Sequence, residues 1–156
     1  MNIGRNTMGY THYFSHKATT DDKWAAILKD CKILAENMPA EITIAGGDGT
    51  GEPVFNDDEI VFNGAEDESH ETFAISKSGA GYREWEDTTS LPFAFCKTVR
   101  KPYDVLVCAC LLVYKCHSPE TMELSSDGNA ESWEEAENFI FEVLGYEKVF
   151  EEVRMK

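Results

Sequence analysis

Within five positions of the stretch FCKTVRKPYD, residues 95–104, stand Lys97, Arg100 and Lys101, three of only 14 basic residues in a chain with 29 acidic ones. They flank Thr98, and an apolar run that predicts a helix begins just behind them at Val105. Cations at a helix start oppose its dipole, at about 0.3–1 kcal/mol each when exposed. Something negative therefore belongs beside them: either carboxylates of the chain itself, or a bound anion shared between these side chains and the free N–H groups of the first helical turn. A small phosphate-bearing molecule suits the second arrangement. Lys97 and Arg100 would hold its anion, Thr98 and Asn63 would supply hydrogen bonds, and Tyr13 or Tyr103 would stack on a ring, with Tyr10 and Phe73 as further aromatic faces. Glu71 or Asp127 would read ribose hydroxyls or a base edge. With His12 or Glu71 as general acid or base, the same cleft would process a phosphoester or glycosidic bond.

Each of these residues also has a structural use. Asn63-Gly64 and Asp127-Gly128 are common turn pairs, a lone strand histidine is more often scaffolding than ligand, and Thr72 sits with His70 and Glu71 where a strand begins. Cys96 would become a nucleophile if Lys97 and Arg100 lowered its pKa, but the sequence fixes no histidine beside it. His12, His16 and His70 show neither the paired helical spacing nor the paired-cysteine spacing of zinc sites, so no metal or other cofactor is expected.

The elements that would position these residues follow from periodicity. GYTHYF (9–14) has the content of a strand. Thr19-Thr20-Asp21-Asp22 supplies cap and acid residues before Trp24, Ile27, Leu28, Cys31, Leu34, Ala35 and Met38, which recur at helical spacing until Pro39. EITIA (41–45), EIVFNG (59–64) and ETFAIS (71–76) predict an antiparallel meander, and 77–91, with Tyr82 and Trp85, a turn-rich segment suited to a lid. PFAFCKT (92–98) predicts a strand, and the apolar run after Pro102, by its length, a helix packed on both faces. TMELSSDG predicts a strand and turn, and Ser132 to Glu135 a capping box opening a last helix with Gly145 as its stop. The expectation is an α+β fold of about three helices against one mainly antiparallel sheet.

Composition bounds the rest. The 156 residues, 42% hydrophobic and 12% aromatic, predict one globular domain from Met8 to the C-terminus, with residues 1–7 a polar, aperiodic tail. The longest apolar run is shorter than the roughly 18 residues a membrane span needs, and the N-terminus has no signal-peptide core. A soluble, intracellular protein with reduced, buried cysteines is expected. The net charge of −15 repels polyanions, which argues against general nucleic-acid binding.

Gly46-Gly47-Asp48-Gly49-Thr50 resembles the phosphate-binding signature of NAD kinases and diacylglycerol kinases. Nothing helical follows it, however, so it reads as a turn. A broader resemblance covers Met8 to about Leu144. The segments MGYTHYF, GDGTGEPVF, IVFNG, HETF, FCKTVRKPYD and SSDG followed by a tryptophan resemble a family of small accessory proteins of tailed bacteriophages and prophages, from which this chain departs by seven residues before Met8. The resemblance implies a viral protein of the host bacterial cytoplasm, outside the virion, and carries no catalytic assignment. Its recurrent polar positions correspond to Thr11, His12, Tyr13, Asn63, Glu71, Thr72, Lys97, Thr98, Arg100, Tyr103 and Asp127. Such proteins often act against host defence, in one strategy by sequestering a nucleotide-derived immune signal. The expectation is thus a binder of a small anionic, nucleotide-derived ligand. The alternatives are a phosphoester- or nucleotide-processing enzyme using the same cleft, and an acidic interaction module that docks on a host protein through Glu134, Glu135 and Glu142. A homo-oligomer is compatible with each.

Overall fold

The structure, a computed structural model, describes residues 10–79, 93–127 and 130–147. The expected tail (1–7) and most of the turn-rich segment, with Tyr82 and Trp85, lie outside the described residues. Strand β1 (Thr11–His16) is followed by helix α1 (Asp21–Glu36), the short strands β2 (Ile44–Ala45) and β3 (Val54–Phe55), then β4 (Glu59–Gly64) and β5 (Phe73–Ser76). After them come β6 (Phe93–Lys97), helix α2 (Asp104–His117), β7 (Met122–Ser126) and helix α3 (Ala130–Leu144). This is a single-domain α+β fold with antiparallel sheets.

Helix α1 starts where its sequence directs: Thr20 caps it by accepting from the Lys23 N–H, and Asp21 and Asp22 sit in the first turn. Its buried face is Trp24, Ile27, Cys31 and Leu34, with Asp30 among them. Helix α2 is apolar all round because it is enclosed: every residue from Leu106 to Tyr114 is buried, and it packs against α1, α3 and β7. Helix α3 begins at Ala130, two residues before the expected capping box. The C-terminal segment is tied down by Asp30, whose Oδ2 accepts from Tyr146 Oη at 2.5 Å and is bonded to His117 Nε2 at 2.7 Å. All five cysteines are free thiols, and only Cys116 is exposed.

Among the described residues two antiparallel sheets form, where a single one was expected. One has the order β6-β1-β7, and in the other β4 pairs with β2, β3 and β5. The reason lies at the outer edge of β6. There the Glu71 N–H donates to the Lys97 carbonyl (3.3 Å), but the return bond from the Lys97 N–H goes to the Glu71 side-chain Oε1 (2.7 Å). A carboxylate replaces the backbone carbonyl a neighbouring strand would supply, and the ladder stops.

Candidate functional site

The register of the β6-β1-β7 sheet sets Cys96 opposite His12 on one side and Ser126 opposite His12 on the other. Side chains directly opposite share a face, so the three form a row. His12 is fully buried. Its Nδ1 lies 2.7 Å from Ser126 Oγ, and its Nε2 lies 2.6 Å from Oδ1 of Asp104, the first residue of α2. Asp104 Oδ1 also accepts from Thr98 Oγ1 at 2.6 Å, and Oδ2 accepts from the Cys108 thiol at 3.6 Å, one helical turn on. Burial and the Asp104 carboxylate push the Cys108 thiol well above its ordinary pKa, so it stays a donor. With Asp104 Oδ1 accepting from Nε2–H, Nδ1 is the acceptor for the Ser126 hydroxyl. The imidazole is wedged between the rings of Tyr10 and Trp133, each edge-on at 5.0 Å. Trp133 Nε1 is buried without a hydrogen-bond partner among the described residues.

The cationic stretch is a turn. Lys101 N–H bonds the Thr98 carbonyl at 3.0 Å, and both central residues are left-handed, Val99 at φ 43 and Arg100 at φ 62. For a β-branched valine this conformation costs on the order of 1–3 kcal/mol. It is held by Thr98 Oγ1 accepting from the Arg100 N–H (3.3 Å) and by Lys101 Nζ on the Asp67 carbonyl (2.9 Å). The exposed Arg100 guanidinium lies 3.8 Å above the Tyr10 ring, a cation–π contact.

The residues singled out by sequence divide into groups. His12, Thr98 and, through Tyr10, Arg100 come together. Tyr13 and Lys97 alternate with His12 and Cys96 along their strands, so their side chains leave from the opposite face. Glu71 and Tyr103 brace the inter-sheet junction: Tyr103 is buried and its hydroxyl donates to the Glu71 carbonyl at 2.6 Å. Asp127 extends the β1–β7 ladder, its N–H donating to the Thr11 carbonyl (2.9 Å) and its Oδ2 accepting from the Thr11 N–H (3.1 Å). Phe73 is core. Burial pushes the Cys96 thiol up to about 12, so it is no nucleophile at neutral pH.

Asn63 and Thr72 instead meet on the Gly-rich loop, both donating to the Gly47 carbonyl, at 3.0 and 2.5 Å. No helix follows that loop: Asp48 accepts from the N–H and hydroxyl of Thr50, the bonds of a local turn, which also lower its pKa. Asn63 Nδ2 donates as well to the His70 carbonyl (3.0 Å), and its Oδ1 accepts from the N–H groups of Gly64 and His70. Asn63→Asp would turn a carboxylate onto two carbonyl oxygens; a loss of about 2–4 kcal/mol is expected by urea titration.

Asp104 and Cys108 belong to this buried network but are not singled out by the sequence, and Ser126 is marked there only within the strand-end stretch Ser125 to Gly128. Asp104 carried a signal, as an acid at the first helical position with a cysteine four residues on.

His12 Nε2, an Asp104 oxygen and Cys108 Sγ lie within 4.8 Å of one another, a donor set that zinc-type ions accept. Two nitrogen or oxygen ligands of one tetrahedral ion stand about 3.3 Å apart. The 2.6 Å between Nε2 and Oδ1 is instead a closed hydrogen bond, so these atoms would have to separate to admit an ion. A hollow of about 410 Å³ beside Pro102 and Tyr103 is lined by Glu41 and Glu68 and by no cation, and does not suit an anion. Among the described residues, no helix is long and apolar enough to cross a membrane. The chain matches no known protein-family model, curated protein or solved structure.

Proposed function

We propose that the protein binds a small anionic, nucleotide-derived ligand at the Thr98–Lys101 turn, with Arg100 as the principal cation. The observation that carries this reading is the strained turn itself. Two consecutive left-handed residues, one of them a valine, hold a guanidinium over Tyr10 beside a buried polar chain. Backbone strain of this kind persists where the surroundings over-determine it, and it concentrates at ligand clamps. An aromatic face under a surface arginine also fixes the plane of its guanidinium. In a chain of net charge −15 a compact anion is favoured over a polyanion, which would meet the whole negative field. Sequestration of a nucleotide signal in a phage-infected cell is the role that joins this site to the sequence resemblance.

The test is mass spectrometry of small molecules released on denaturation, for the parent protein and Arg100→Ala in parallel, backed by calorimetry against a nucleotide panel. The expected result is a phosphate-bearing compound recovered from the parent and at least tenfold depleted in the variant. Recovery of nothing from either, with no heat from the panel, would overturn the reading.

A further inference from the structure

We propose that Ser126, His12 and Asp104 form a nucleophile, base and orienting acid that hydrolyse a small anionic carboxylic ester. The proposal rests on the ligand-binding reading only for where the substrate's charged end sits. Three observations carry it. The contacts run in sequence, Ser126 Oγ to Nδ1 at 2.7 Å and Nε2 to Asp104 Oδ1 at 2.6 Å, both within the reach such a relay needs. Asp104 is fixed by further donors, Thr98 and Cys108, so it remains an acceptor for the ring proton and selects the tautomer that leaves Nδ1 basic. His12 is fully buried whereas Ser126 is part-exposed, so of this pair only the serine reaches the protein surface.

The chemistry balances with water as the only co-reactant. Ser126 Oγ bonds to the acyl carbon as its proton passes to Nδ1, and the charged ring is held by Asp104. The adduct collapses, the bond to the alcohol oxygen breaks, and Nδ1–H protonates that oxygen. Water then attacks the acyl-serine, giving its proton to Nδ1. Oγ departs with that proton, and acid and alcohol are released.

The experiment treats the folded protein with a fluorophosphonate probe, maps adducts by peptide mass spectrometry, and follows release of p-nitrophenol from the acetate ester and from the glutarate monoester. The expected result is an adduct on Ser126, with labelling and turnover lowered on the order of 10²–10⁴-fold in His12→Gln. The parent is also expected to prefer the anionic ester, a preference reduced in Arg100→Ala. Circular dichroism checks that each variant is folded. An unlabelled Ser126 in parent protein that still binds its nucleotide would overturn catalysis and leave the ligand reading standing. A labelled Ser126 with no preference for the anionic ester would support catalysis and count against the anion clamp.

Discussion

Asp104→Ala should lower stability by about 3–5 kcal/mol, the cost of removing one partner from a buried, hydrogen-bonded charge site. The loss is large because one carboxylate serves three elements. It accepts from His12 on β1, from Thr98 before the turn, and from Cys108 on its own helix. Without it, the Nε2–H of a fully buried imidazole and a buried threonine hydroxyl lose their acceptor together. For a chain of this size, that corresponds to a fall of roughly 10 °C in Tm. Asp104→Asn keeps an amide oxygen for those donors and should cost less than half as much. Thermal denaturation of both variants checks the pair; a loss below about 1 kcal/mol in the alanine variant would mean that the network is solvated and not structural.

The same network marks how far the sequence could be read. Helix α1 was legible from its cap and spacing, and α2 from the length of its apolar run, because both signals are local. The row Cys96, His12, Ser126 was not, since it exists only through strand pairing between residues as much as 114 positions apart. Ser126 was absorbed into a turn motif and Asp104 into a helix start. The opposite directions of Cys96 and Lys97 were available from strand alternation alone, because a cysteine facing the core sends its neighbour the other way. The division into two sheets was hidden because it depends on the Glu71 carboxylate taking the bond of a backbone carbonyl.

Gly64→Ala should destabilise the protein by about 3 kcal/mol, near the upper range for overpacking. Asn63-Gly64 reads as a turn pair, yet Gly64 lies at the end of β4, paired with Ile44. A Cβ there would fall far inside van der Waals contact of the Glu68 carbonyl oxygen and 2.8 Å from the carbonyl carbon, with the Tyr103 ring at 3.1 Å. Backbone cannot swing aside as a flexible side chain would. The Glu66–Glu68 turn is fixed by the Glu68 N–H on the Ala65 carbonyl (2.8 Å) and by Ser69 on the Glu66 carbonyl (3.0 Å). Displacing it would disturb Tyr103, which abuts Asp104. Gly51→Ala is the control: its φ is +73 but its surroundings are open, so only a backbone cost of about 1 kcal/mol is expected. Urea titration separates the two, and equal midpoints would refute the packing argument.

The central place of β1 between β6 and β7 has a consequence for biosynthesis. The first strand to be made is the last to be satisfied, because both its neighbours are encoded in the second half of the chain. Ser126 follows His12 by 114 residues, so at ~5–20 residues per second a ribosome holds β1 with at least one open edge for roughly 6–23 s. Throughout that interval the nascent strand is a template for pairing with other chains. Completion of β7 closes the second edge and seats His12 at Asp104, so the polar chain assembles in the same event that ends the chain's exposure to misassembly.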